Sequence, residues 1–189
     1  MDDSLVVPDF IDEETRARIV AELDAAPAVA APVYGGATPG AAVEPRVRST
    51  QQARVGDALR ESIRERLEAI RPRLETHFGV ILATVEEPQF LRYGVGDFFV
   101  AHQDGNTPSI RDDSQHRRIS VSVFLNPGAY GGGEFVFHGR YPDWEARHRV
   151  PALAGALVAF RSETTHEVTP VTHGVRYSIV TWYRAGVQP

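Results

Sequence analysis

The sequence predicts a mainly β fold, a barrel or double-sheet jelly roll, supported by helices in its first third. Three observations carry this. After Gly79, short runs rich in Val, Ile, Phe and Tyr alternate with clusters of Gly, Pro, Asn and Asp, the pattern of many short strands joined by turns. Before Gly79, Leu59, Ile63, Leu67, Ile70, Leu74 and Phe78 recur every three or four residues, as one stripe of an amphipathic helix. The 189 residues show no internal repeat and suffice for one domain with a sizeable core. The expected division is 1–79 as helical support and 80–185 as the β core.

The elements follow in order. Residues 5–11 read as a short strand that ends in a turn. Asp12 is a candidate N-cap, with Glu13 and Glu14 in the first turn and Ile19, Val20 and Leu23 on the apolar side of a short helix that stops before Pro27. Residues 26–45, rich in Ala, Pro and Gly, read as a mobile loop. The long helix spans 57–78, with a kink expected near Pro72 and an end at Gly79. Strands are expected at 80–85, 88–93, 98–103, 118–125, 134–138, 149–151, 156–160, 166–169 and 175–183. Residues 105–117 and 139–148 are long polar loops suited to lid or substrate contacts, with Arg111, Arg117, Arg140, Trp144 and Arg147 as candidates and solvated loop positions as the simpler reading of each.

Composition removes several chemistries. There is no cysteine, which excludes disulfides, thiolate metal sites and cysteine nucleophiles. All twenty basic residues are Arg, which excludes lysine Schiff bases and makes Arg or His the anchor of any anion. A net charge of −5 without a dominant basic stripe argues against nucleic acid as partner. No apolar run approaches the roughly 20 residues that cross a bilayer, so no membrane partner is expected. The acidic start, Met1-Asp2-Asp3-Ser4, does not resemble a secretory signal, and the cytoplasm is the expected location.

The chemistry gathers on a few residues. In a strand, side chains two apart share a face, so His102 and Asp104 would project together, with Gly105 ending the strand. Composition alone produces a His-x-Asp on the order of 0.4 times in such a chain, so the motif needs partners. His166, in a short strand after a turn, can supply a third donor, because barrel strands converge on one interior, or be a surface residue at a strand edge beside Thr164 and Thr165. Two imidazoles and one carboxylate with open positions opposite describe the facial site of a non-haem Fe(II) oxygenase. The alternating strand around Arg176 puts Arg176, Ser178, Val180 and Trp182 on one face, where a guanidinium needs an anion. That anion is either a dicarboxylate such as 2-oxoglutarate or a protein carboxylate. Tyr93 could add a phenol hydrogen bond, or be a core tyrosine. Gly131-Gly132-Gly133 reads as a turn between strands, since no helix follows for a phosphate site. His77, His116, His138, His148 and His173 lack a spaced carboxylate partner and read as surface residues. Asp112, Asp113 and His116 form a weaker rival metal cluster in a loop.

Four ordered blocks make the chain resemble the Fe(II)/2-oxoglutarate-dependent dioxygenases, in their prolyl-hydroxylase-like branch. They are the stretch from Tyr93 to Asp104, then Arg118 to Asn126 with Gly132-Gly133-Glu134-Phe135, then Gly155 to Phe160, then His166 to Trp182. The resemblance implies a double-stranded β-helix (jelly roll), with His102, Asp104 and His166 as iron ligands. It implies Arg176 on the distal carboxylate of 2-oxoglutarate with Tyr93 assisting, molecular oxygen as co-substrate, and it admits ascorbate as an accessory reductant. It implies hydroxylation of an unactivated C–H, by analogy that of a prolyl residue in a protein or peptide, with a free amino acid or a small natural product as the alternative. A cupin-type isomerase or binding protein is the alternative of another class. Asp104 favours hydroxylation, since halogenating relatives lose this carboxylate. Phe124 departs from the pattern: some relatives carry a second tyrosine there, and its hydroxyl is missing here.

Overall fold

The computed structural model describes residues 4–33, 42–108, 110–139, 143 and 145–186. The elements run β1 (Ser4–Val7), α1 (Glu13–Ala25), β2 (Ala28–Ala30), β3 (Arg48–Ser49), β4 (Gln51–Ala53), α2 (Asp57–Phe78), β5 (Leu82–Val85), β6 (Gln89–Tyr93) and β7 (Phe98–His102). A 3₁₀ turn at Asp113–His116 leads to β8 (Arg117–Phe124), β9 (Tyr130–Gly132), β10 (Phe135–His138), β11 (Arg147–Arg149), β12 (Leu157–Arg161), β13 (His166–Val168), β14 (Val171–Gly174) and β15 (Arg176–Ala185).

The helices form for the reasons their sequences suggest. The Asp12 carboxylate accepts from the Thr15 backbone N–H at 2.8 Å, which satisfies one orphan donor of α1. The helix buries Ile19 and Leu23 and stops at Ala26, before Pro27. In α2 the stripe Ile63, Leu67, Leu74 and Phe78 is buried, and Gly79 closes the helix at φ 64°, a left-handed position that glycine takes without penalty. The helix continues through Pro72. No helix among the described residues is long and apolar enough to cross a membrane.

The strands make the two facing sheets of a double-stranded β-helix. The larger runs β1-β12-β8-β15-β6-β4-β2, with β5 also on β15; the smaller runs β11-β10-β13-β7-β3. A two-stranded ribbon pairs β14 with β9. Strand alternation divides the interior in two. On one side of the large sheet, Ile119, Val123, Tyr177, Ile179 and Tyr183 pack against Ile19, Leu23, Ile63, Leu67 and Leu74 of the helices. On the other side, between the sheets, lie Leu91, Tyr93, Phe124, Phe135, Val158, Phe160, Val168 and Val171. Each fully buried side chain of this kind contributes roughly 1.5–3 kcal/mol. The helical layer therefore holds the large sheet from behind and leaves its inner face free to build a site.

The structure departs from the sequence reading at several places. Within the stretch read as a loop, Ala28–Ala30 forms a strand on β4, and Val33 bridges Ala42. The strands β3 and β4 were not expected: they are two and three residues long, and pairing with β7 and β6 makes them. Gly131 and Gly132, read as a turn, lie in β9, whose partner β14 was also unexpected. Gly131 permits that ribbon because a Cβ there would lie 2.1 Å from the His173 ring. The strand expected at 149–151 sits at Arg147–Arg149.

Candidate active site

Between the sheets lies a cavity lined by His102, Asp104, His166 and Arg176. His102 is the last residue of β7, and His166 is the first of the antiparallel neighbour β13. The two are direct register partners, with ring centroids 4.2 Å apart. Asp104 lies beyond the end of β7, so a shared strand face does not place it. The Ser162 carbonyl places it, by accepting from the Asp104 N–H at 2.9 Å and the Gly105 N–H at 3.2 Å. Gly105 lets the chain turn here, since a Cβ would lie 2.4 Å from the Ser114 carbonyl oxygen. The Asp104 carboxylate ends 3.4 Å from His102 Nε2 and 3.5 Å from His166 Nε2.

Donor atoms of the three residues lie within 4.8 Å of one another. Each imidazole is oriented in the same way. His102 Nδ1 lies 2.8 Å from the Val100 carbonyl and His166 Nδ1 lies 2.9 Å from the Thr164 carbonyl. A carbonyl only accepts, so both Nδ1 atoms carry a proton, and both Nε2 atoms face Asp104. Phe99 stacks on His102 at 3.5 Å, and Phe160 and Phe135 flank His166 at 4.8 and 5.4 Å. Burial, then the neighbouring His102, push the His166 imidazole down to about 4, so it is neutral and able to ligate at neutral pH. Burial alone would raise the Asp104 carboxyl; His166 and His102 outweigh it and hold it below the usual carboxylate range. A carboxylate between two imidazole Nε2 atoms matches the donor chemistry of a divalent iron site with positions left open.

Arg176, the first residue of β15, lines the same cavity. It is 1% exposed. Its Nη1 donates to Ser178 Oγ at 2.9 Å, and its guanidinium lies over the rings of Tyr93 and Phe124 at 5.0 and 5.9 Å. Among the described residues it makes no ion pair, and its Nε has no hydrogen-bond partner. Of the two anions weighed for this arginine, a protein carboxylate is therefore not the one at hand. A buried guanidinium without a counter-ion is a site for an anionic ligand. Tyr93 is buried beside it in the β6 row that pairs with Arg176.

The remaining expectations resolve as follows. The rival cluster does not assemble: Asp113 pairs with Arg184 at 2.6 Å, and Asp112 accepts from the Ser114 N–H. His138, read as a surface residue, is half-buried and lies 3.3 Å from Glu167 of the paired strand β13. Arg117 is buried rather than solvated, forks onto Glu86 and lies 3.7 Å over the Trp182 ring. Arg111 and Arg147 are exposed, and Arg140 and Trp144 lie outside the described residues. A second chamber adjoins the triad; Arg48, Gln89 and Arg117 line it, with Phe99, Asp104 and Trp182. Sequence reasoning missed this chamber. Its one available signal was Val47-Arg48-Ser49 ahead of the long helix, and nothing local ties those residues to His102.

Fold and site together define a non-haem iron oxygenase architecture. A family model for the 2OG-Fe(II) oxygenase superfamily matches residues 88–184, over half of the chain. The chain belongs to this family, whose cofactors are Fe(II) and 2-oxoglutarate. It is similar to a PKHD-type hydroxylase of Klebsiella pneumoniae, 34% identical over 127 residues, a match covering 65% of this chain and 53% of the relative. The chain thus spans about half the length of that curated relative. In fold it is similar to a Pseudomonas putida prolyl-4-hydroxylase, at 22% identity and a TM-score of 0.74 over 98% of this chain and 94% of that one. It is also similar to a prolyl hydroxylase of Trichoplax adhaerens solved with a hypoxia inducible factor peptide fragment, at 17% identity and a TM-score of 0.73 over 98% and 84%. The donor set fits the metal, and Arg176, without an ion pair among the described residues, fits the oxo acid.

Proposed function

We propose that this chain is a single-domain Fe(II)- and 2-oxoglutarate-dependent hydroxylase. In this reading His102, Asp104 and His166 hold the iron, Arg176 anchors the distal carboxylate of the oxo acid, and Tyr93 adds a phenol hydrogen bond. One observation carries it: a two-imidazole, one-carboxylate cluster and a buried, unpaired guanidinium line one cavity. With dioxygen, the bound metal and oxo acid supply an oxidant for an unactivated C–H, releasing succinate and carbon dioxide.

The residues divide the remaining work. Val100 and Thr164 carbonyls keep both imidazoles in the ligating tautomer. Arg176 fixes the direction of the oxo acid by a charge-assisted hydrogen bond. Phe99, Phe135 and Phe160 keep water from the reacting centre. The substrate enters the adjoining chamber beside Asp104. Its polar wall, where Arg48 Nε and Gln89 Oε1 are buried without hydrogen-bond partners among the described residues, suits the carbonyl and N–H of a peptide. A prolyl residue in a protein or peptide is the leading substrate, supported by the names of the similar structures. A free amino acid, with its carboxylate and ammonium, is the second reading and is favoured by the same polar pair. Unpaired Arg176 argues against a non-oxidative cupin, which has no use for an oxo-acid anchor.

The test is succinate release from 2-oxoglutarate that requires both iron and oxygen, with peptides and free amino acids as substrates. His102→Ala should abolish it, and Arg176→Ala should raise the 2-oxoglutarate requirement sharply. Turnover that survives His102→Ala removes the ligand assignment. Turnover without oxygen removes the hydroxylase.

A further inference from the structure

We propose that Glu163, in the turn between β12 and β13, is a positioning residue for the metal site: its carbonyl takes Gln103, its carboxylate takes Asn106, and together they fix the segment that carries Asp104. This rests on the reading of His102, Asp104 and His166 as metal ligands given above.

The end of β7 creates the need for such a device. His102 and His166 are held by the ladder between β7 and β13, which pairs them directly. Asp104 lies past the last residue of β7, beyond the reach of that ladder. A carboxylate free to swing would meet the two imidazoles at a variable angle, and ligands bind a metal tightly only when groups behind them fix their direction.

The neighbouring turn supplies what the ladder lacks. It is closed by the Thr164 N–H, which donates to the Arg161 carbonyl at 2.9 Å. Its next three carbonyls each meet the ligand segments. Ser162 accepts from the Asp104 and Gly105 N–H groups, Glu163 accepts from Gln103 Nε2 at 2.7 Å, and Thr164 accepts from His166 Nδ1 at 2.9 Å. The Glu163 side chain adds a further bond, its Oε2 accepting from Asn106 Nδ2 at 3.0 Å. Gln103 and Asn106 thus flank Asp104-Gly105 in the chain, and both end on Glu163. Asn106 takes φ 55°, a left-handed conformation that Asn adopts more readily than most residues. Both side chains are exposed, where holding a long side chain still costs rotamer freedom. The Ser162 bonds set where the Asp104 backbone sits. The Glu163 bonds on either side oppose its rotation, and so set the direction of the carboxylate.

The test uses metals that bind without turnover. Gln103→Met keeps the length of the side chain without its donor, and Asn106→Gly keeps the left-handed backbone without its amide. Mn(II) titration, followed by loss of the free-ion electron paramagnetic resonance signal, should show each variant binding about threefold to tenfold more weakly, the effect of one hydrogen bond. The visible absorption of the Co(II)-loaded form should shift in each. Glu163→Ala should behave likewise. Glu163→Gln, which keeps an acceptor for Asn106, should bind Mn(II) within about twofold of the natural chain and leave the Co(II) spectrum unchanged. Equal losses in Glu163→Ala and Glu163→Gln would show that the charge of Glu163 acts and not its hydrogen bonds, which overturns the proposal. Gln103→Met and Asn106→Gly variants that bind Mn(II) within about twofold, with an unchanged Co(II) spectrum, also overturn it, whatever their melting temperatures, and leave the ligand assignment standing. Mn(II) binding by the natural chain that is not saturable, or that survives His102→Ala, overturns both.

Discussion

Replacing Arg176 by methionine should make the protein alone more stable and its hold on 2-oxoglutarate much weaker. The side chain is 1% exposed and has no ion-pair partner among the described residues. Burying an ion costs several kcal/mol after relaxation. One hydrogen bond to Ser178 and two ring faces return part of this, on the order of 1 kcal/mol each. Methionine has similar reach and no charge, but leaves Ser178 Oγ without its donor. The net gain should be about 1–2 kcal/mol, which raises the melting temperature by roughly 2–4 °C per kcal/mol for a chain of this size. Ligand binding moves the other way. Removing one partner of a buried charged pair costs roughly 2–5 kcal/mol, or about 30-fold to several-thousand-fold in Kd. Scanning calorimetry of the metal-loaded protein, with and without 2-oxoglutarate, reads both effects. In the natural chain, ligand at 100 times Kd should add about 2.7 kcal/mol; in the variant the same ligand concentration should add less than about 1 kcal/mol. A variant that melts lower and binds 2-oxoglutarate within about threefold of the natural chain would refute the reasoning. Arg176 would then be a structural cation.

Three further outcomes follow from the geometry. Burial, then His102, depress the His166 imidazole from 6.5 to about 4. The unfolded chain therefore binds more protons between these values, and the stability this group contributes is complete above pH 6.5 and lost as pH falls toward about 4. Melting curves of the metal-free protein should show this decline, and His166→Gln should flatten it; an unchanged slope would remove His166 as its source. Asn126 brackets Arg176: its Nδ2 donates to the Val175 carbonyl at 2.7 Å, and its Oδ1 accepts from the Tyr177 N–H at 2.8 Å. Asn126→Ala should cost about 1–3 kcal/mol of stability and raise the KM for 2-oxoglutarate several-fold with little change in kcat, and equal losses in both would show that it does not act through Arg176. Gly105→Ala would put a Cβ 2.4 Å from the Ser114 carbonyl oxygen and 2.7 Å from Arg117 Cβ, shifting the turn that carries Asp104. Mn(II) titration should then show at least tenfold weaker metal binding, with 2-oxoglutarate affinity falling only through the metal.

The parts of the structure legible in the sequence are those written in a local period. Leu59 to Phe78 repeat as a helix face, and that face is buried. Arg176, Ser178, Val180 and Trp182 alternate as one strand face, and all four line the cavity. The chemistry of the donor set was also legible, because no Cys and no Lys left His, Asp, Glu and Arg to hold a metal and an anion. The stretches Ala28–Ala30, Arg48–Ser49 and Gln51–Ala53 were not legible. They are too short to show a period and are strands because β6 and β7 offer them an edge. Asp104 was placed for an insufficient reason, since the Ser162 carbonyl, 58 positions downstream, holds it and not the pleat of β7.

What the amino-acid order determined by itself was a β core behind two helices and the kinds of side chain able to bind iron and an oxo acid. What the tertiary structure alone decided was which of them meet: His102 opposite His166, Arg117 against Trp182 and, among the described residues, Arg176 without a carboxylate and Ser122 without a hydrogen-bond partner. Local propensity acts over a few residues. A facing pair of sheets draws its register from hydrogen bonds between strands that lie far apart in the chain, and a site built across those strands acquires its geometry only when they close.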